Sequence, residues 1–229
     1  VSVPLELAAD FGSVTPVQLP VVGLSLGARI HREYSNQADS VVFALPSNVI
    51  SLVRSGYVEG LPRDTLVAAV DSSQSLADSI LRAIDTCPTV GETLIVNFGV
   101  TLVRRSIADN DRIVVGKRRE VIRWSTLSHT PTGSWVLLDK NQTKPKEYSH
   151  WHITGVFEFG NGVRFADLLR EEVHSPSPDI DPFYAAIVEY LELNQESKRH
   201  PKWLEVSDSW MDFGHVDGYY ASRLATGTG

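Results

Sequence analysis

The 229 residues carry 21 Lys and Arg against 28 Asp and Glu, a net charge of −7, with 42% hydrophobic and 21% charged residues. That balance belongs to an ordinary globular chain with a buried core, and it excludes intrinsic disorder. No run of like charge exceeds Lys117–Arg118–Arg119, so wholesale binding of nucleic acid through its phosphates, which needs a broad basic surface, is disfavoured. An acidic chain can still hold a phosphorylated small molecule in one local pocket.

Cys87 is the single cysteine, which rules out an intrachain disulfide and a multi-cysteine zinc site. No apolar run approaches the roughly 18 residues needed to span a bilayer. Glu6 and Asp10 interrupt the apolar N-terminal residues, and no basic segment precedes them as in a signal peptide. A cytoplasmic protein without membrane contact is therefore the expectation. At this length one α/β domain over residues 1–220 is the simplest division. Residues 221–229 read as a tail, suited to lead into a linker and a fused downstream domain.

In chain order, Val1–Pro4 reads as a first strand and Gly23–Tyr34 as a helix. Val41–Leu45 is short, β-branched and closed by Pro46, as a buried strand should be. Leu66–Val70 is a second such run. Ser75–Ile84 then repeats Leu76, Ile80, Leu81 and Ile84 at helical spacing and must stop before Pro88. Thr93–Asn97 is the next strand. Strand, helix and strand in succession predict parallel pairing with right-handed crossovers. From Arg112 the pattern changes to strands at Arg112–Val115, Val121–Trp124, Ser134–Leu138 and Gly155–Phe159, a strand-rich insert forming a mixed or antiparallel edge. Helical patterns return at Val163–Glu172 and Phe183–Leu193, with a proline-rich loop between them. The predicted fold class is α/β: a three-layer mixed sheet flanked by helices, with that insert in the second half.

Three segments carry chemistry. Near the C-terminus, Trp210–Met211–Asp212–Phe213–Gly214 sets one carboxylate between an aromatic and a glycine. In the middle, Asp139–Lys140 precedes Pro145 and then Ile153–Thr154–Gly155–Val156–Phe157. Earlier, Leu94–Ile95–Val96–Asn97–Phe98–Gly99–Val100–Thr101 is an apolar strand running into a glycine turn. In this order they resemble the sugar-1-phosphate nucleotidyltransferases, which make nucleotide-sugars from a nucleoside triphosphate and a sugar 1-phosphate. Among these, the ending through Tyr219–Tyr220 is most similar to nucleotidyltransferase-like domains of the bacterial surface-polysaccharide type.

The resemblance implies a three-layer Rossmann-like (GT-A-like) mixed sheet and a role for each position. Asp212 would hold a catalytic Mg2+, a hard cation that takes carboxylate oxygen. Lys140 would meet the sugar phosphate, with Lys144 as a second cation. Asp139 would bond sugar hydroxyls, and Gly155 would let the backbone approach the sugar. Asn97 at its strand end and Gln74 in the loop that reads the base complete the substrate-binding set. The plainer readings are a solvated lysine loop and a polar helix cap, for which Ser72 or Ser73 would serve.

The nucleotide half departs from the pattern. Where the family has a glycine-rich triphosphate loop, Val3–Gly12 offers Glu6 and Asp10 and lacks the glycines before Gly12. Val17 stands for a lysine, and Val100 for the second metal-binding aspartate. Acids in a phosphate site repel the ligand, more so as water is excluded. The preferred reading is a domain degenerate on the nucleotide side that binds a sugar phosphate or nucleotide-sugar. An active Mg2+-dependent enzyme with variant motifs, and a structural or homo-oligomerising domain, are the alternatives. Outside this family, His150 and His152 alternate along an extended segment with no third metal ligand in view. Cys87 and the five tryptophans read as packing residues.

Overall fold

Two apolar pentapeptides form a two-stranded parallel sheet in the computed structural model. It describes residues 14–71, 75–87, 93–103, 111–117, 126–129, 135–138, 151–177, 180–196, 202–205, 210–214 and 216–227. The expected strands at Val1–Pro4 and Val121–Trp124 lie outside these residues. β3 (Val42–Pro46) and β4 (Leu66–Val70) pair in parallel, from Val42 opposite Leu66 to Pro46 opposite Val70. Parallel neighbours need a crossover, and α2 (Ser47–Ser55) supplies it. Gly56 closes that helix at φ 78°, returning its N–H to Leu52 and Val53, a conformation in which a side chain is strained.

Ahead of this unit, β1 (Pro20–Val21) and β2 (Leu24–Ser25) form a small antiparallel hairpin that leads into α1 (Leu26–Tyr34). The helix expected from Gly23 therefore starts later. Val22 (φ 45°) and Gly23 (φ 75°) make the hairpin turn, and Ser25 caps the helix by accepting the Ala28 N–H at 3.1 Å. Both turn residues have positive φ, as a two-residue primed turn demands. The Arg29 guanidinium braces the turn through the carbonyls of Val21 and Val22, each at 2.7 Å.

α3 (Leu76–Thr86) follows β4. Ser75, rather than Ser72 or Ser73, is its cap: the hydroxyl accepts the Asp78 N–H and the Asp78 carboxylate reaches back, a complete capping box. β5 (Leu94–Asn97) does not extend the parallel pair. It runs antiparallel to β10 (Trp151–Phe159), which is antiparallel to β7 (Arg112–Lys117). β11 (Lys202–Glu205) adds to β7 in parallel, giving the order β11-β7-β10-β5. β6 (Thr101–Val103) pairs antiparallel with β12 (Trp210–Asp212). β8 (Thr126–His129) and β9 (Trp135–Leu138) form a hairpin within the insert.

Alternation along the strands separates two helical layers. On β5, Val96 packs with α3, with α4 (Gly162–His174) and with α5 (Pro182–Glu196), while Ile95 packs toward α1 and α6 (Val216–Gly227). The first layer is aromatic. Phe159 stacks on Phe165 at 3.6 Å between ring centroids, and Phe157 meets Phe183 edge-on at 5.2 Å. On the other face, Val17, Leu45, Val49 and Val53 join α1 and α2 to β3. The result is the expected three-layer mixed α/β architecture. No helix among the described residues is long and apolar enough to cross a membrane.

Candidate functional site

Two of the three chemistry-bearing segments meet the third at the turn that follows β5. Asn97 ends the strand and folds its side chain back over the turn. Its Oδ1 accepts the Gly99 N–H at 2.8 Å, and its Nδ2 donates to the Thr101 carbonyl at 3.2 Å and the Tyr34 hydroxyl at 3.3 Å. Gly99 adopts φ 76°, the left-handed conformation that such an Asn-led turn permits to glycine without cost. The Asn97 amide is thus engaged in shaping the turn.

Gly155 lies against this turn. β10 and β7 stay in register to Ile153 opposite Val115 and resume at Phe157 opposite Ile113, a bulge between them. Gly155 carries φ 83° inside that bulge, and a Cβ there would sit 3.0 Å from Cδ2 of Phe98. Its carbonyl accepts the Phe98 N–H at 3.0 Å. Bulges of this kind re-aim a strand beside a site, and here the glycine brings β10 against the Phe98 ring.

Asp212 closes the cluster. It pairs with Thr101 across β12 and β6, and the next residue, Phe213, donates its N–H to the Val100 carbonyl at 2.8 Å. The Asp212 side chain is fully buried, and its Oδ1 accepts the Gly214 N–H at 2.8 Å. The Ser222 hydroxyl, from α6, accepts from the Asp212 N–H and donates to the Asp212 carbonyl, at 2.8 and 3.0 Å. A Cβ added to Gly214 would lie 3.2 Å from Asp212 Oδ1 and 3.6 Å from Val100 Cγ2. Asp212 Oδ1 and a Val100 methyl therefore both lie close to Gly214.

Of the two positions to which the resemblance assigns metal ligands, one holds Asp212 and the other Val100. Mg2+ takes octahedral oxygen coordination from one or two carboxylates completed by water and substrate phosphates. Asp212 is buried and already takes a backbone donor, while position 100 contributes methyl groups. Among the described residues, no group of three or more His, Cys, Asp and Glu is placed to hold a metal ion.

Asn97, Gly155 and Asp212 are thus brought together, whereas Gln74, Asp139, Lys140 and Lys144 lie outside the described residues. Val17 is 5% exposed and packs in the apolar cluster between α1, β3 and α2. A Cβ on Gly27 would overlap it at 2.2 Å, so glycine in α1 makes room for valine. No cation stands at that position to meet a phosphate. His152 is buried in β10, and Trp210 packs over Gly116, a core role as expected for it. A shallow depression of about 290 Å3 under the first hairpin is lined by Gln18, Pro20, Gly23, Leu24, Ser25 and Glu59 and includes none of the motif residues.

Thr101, Thr154 and Ser222 were not singled out by their sequence context. Thr101 and Thr154 find their partners in distant segments and Ser222 finds its in the strand ten residues before it, and only a polar residue inside an apolar run hints at such a role.

Neither a family model nor a curated protein matches the chain by sequence. Solved structures share its fold. The nucleoside-diphosphate-sugar pyrophosphorylase of Vibrio cholerae RC9 aligns with a TM-score of 0.63 at 14% identity, over 92% of this chain and 92% of that one. The UTP-bound UGPase of Acinetobacter baumannii aligns at 0.63 and 13% identity, over 93% and 86%. A UDP-glucose pyrophosphorylase complexed with UDP-glucose aligns at 0.60 and 13%, over 94% and 91%. At such identities the likeness speaks for architecture: this chain has the Rossmann-like fold of the nucleotide-sugar pyrophosphorylases, a sugar-1-phosphate nucleotidyltransferase-like fold.

Proposed function

We propose that the chain is a nucleotidyltransferase-like domain that binds a sugar phosphate or a nucleotide-sugar without Mg2+ and does not turn over a nucleoside triphosphate. The observation that carries this reading is the valine at position 100 beside the Asp212 turn. The Phe213 N–H bonds the Val100 carbonyl and both positions lie near Gly214, yet only one of them offers a side-chain oxygen. Val17, sunk in the core, removes a second feature that a triphosphate would need. The sugar side retains its glycine bulge, and Asp139 and Lys140 are the residues proposed to meet hydroxyls and phosphate.

Structural neighbours include a UTP-bound and a UDP-glucose-bound protein, so a ligand of this chemical class is the reasonable one to offer this chain. The test is a pyrophosphate-release assay with glucose 1-phosphate, Mg2+ and each nucleoside triphosphate in turn. The expected result is no release above a no-protein control, with sugar-phosphate binding detected separately by calorimetry. Mg2+-dependent release that disappears in Asp212→Asn would establish the active enzyme instead.

A further inference from the structure

We infer that Thr101 is the positioning residue of this site, tying the strand that ends in Asp212 to the bulge that carries Gly155. The inference rests on the sugar-phosphate reading above for its ligand, but not for its geometry.

Thr101 is fully buried, and its hydroxyl serves two segments far apart in sequence. It donates to the Thr154 carbonyl at 2.7 Å and accepts the Trp210 indole N–H at 3.3 Å. A hydroxyl has one proton and two lone pairs, so both bonds are made at once and each fixes the direction of the other. The Thr154 carbonyl belongs to the peptide that leads into Gly155. Holding that oxygen orients the peptide plane and hence the Gly155 N–H. On the same strand the Thr154 hydroxyl donates to the Val114 carbonyl at 3.0 Å, which locks the bulge to β7.

At the other end, Trp210 lies over Gly116, two residues before Asp212. Thr101 itself is the cross-strand partner of Asp212. The two halves of the site therefore share one hydroxyl, donor to one and acceptor from the other, in a water-poor interior where a displaced partner has no solvent to turn to. Loss of that hydroxyl should disturb both halves together and should loosen a ligand that spans them.

The experiment uses the 15N-labelled full chain as wild type, Thr101→Ser and Thr101→Val, titrated with glucose 1-phosphate. In Thr101→Val the Gly155 and Gly214 amide resonances should move together before any ligand is added. Affinity for glucose 1-phosphate should fall about tenfold, the equivalent of one hydrogen bond of ordinary net strength. Thr101→Ser, which keeps the hydroxyl, should restore both. Movement of one amide alone overturns the inference, and so does an unchanged affinity in Thr101→Val when the wild type binds.

If Thr101→Val does not fold, Trp210→Phe removes the indole donor and keeps a ring over Gly116. It must then shift Gly155, and a stationary Gly155 overturns the coupling. Absence of glucose 1-phosphate binding by the wild type overturns the ligand reading instead, while the amide resonances still decide the role of Thr101.

Discussion

At position 100 a valine methyl lies near Gly214, the residue whose turn the Asp212 carboxylate holds, where the resemblance implies a second metal-binding oxygen. The buried Asp212 acts on its own chain, accepting the Gly214 N–H and so holding the turn after β12. Val100→Asp would place a second carboxylate near the same turn. Like charges in a water-poor pocket repel, so without metal this variant should lose about 1–3 kcal/mol of stability. Millimolar Mg2+ should return most of that loss, because two carboxylates plus water suffice to hold the ion. The wild type should melt at the same temperature with and without Mg2+. Thermal melts in EDTA and in Mg2+ check both, and a variant indifferent to Mg2+ would contradict a shared pocket for positions 100 and 212.

Among the elements, the packing of α4 on α5 gathers acids along one side. Glu189 on α5 is held above the usual carboxylate range, first by its partial burial and then by Glu171 and Glu172 of α4. Arg164 opposes this, and Glu192 adds to it. A raised folded-state value means that the carboxyl favours its neutral form in the folded chain. Its contribution to stability is then full below the ordinary glutamate range and is lost as pH rises through the raised value. At neutral pH the ionised side chain works against the fold. Glu189→Gln should therefore raise stability at pH 7 by a few tenths of a kcal/mol, the scale of a like-charge pair on a helix surface. It should also flatten the pH dependence just above the ordinary glutamate range. Urea midpoints of both proteins from pH 4 to 7 are the check, and parallel curves would remove Glu189 from the explanation.

At the scale of the whole molecule, what could be read from sequence follows the range of each signal. Leu66–Val70 forms the expected strand without shift, and α3 ends before Pro88 as its proline requires. These signals are carried by neighbouring residues. The same periodicity overran at Gly23–Ser25, because apolar spacing does not distinguish the first turn of a helix from a hairpin turn with positive φ. The three motif segments drew attention to Asn97, Gly155 and Asp212, which the fold gathers around the turn after β5. They did not reveal that the Asn97 amide is engaged in the turn, nor that Gly155 serves a bulge.

Pairing of β6 with β12 joins residues 109 positions apart at the Trp210–Thr101 bond, and no local pattern encodes that. The antiparallel docking of β5 on β10 was hidden for the same reason. Hydroxyls such as Thr101 and Ser222 gain their roles only once distant strands and helices are in place.

The reading of the whole chain turns on whether it takes a sugar ligand without Mg2+. The measurement is a thermal-shift series of the purified protein with sugar phosphates, nucleotide-sugars and nucleoside triphosphates, each with and without Mg2+. A ligand at 100 times its dissociation constant stabilises a fold by about 2.7 kcal/mol, roughly 5–10 °C for a chain of this size. The expected result is a shift of that order with a sugar phosphate or nucleotide-sugar, unchanged by Mg2+, and none with triphosphates. A shift that appears only with a nucleoside triphosphate and Mg2+ together would contradict it.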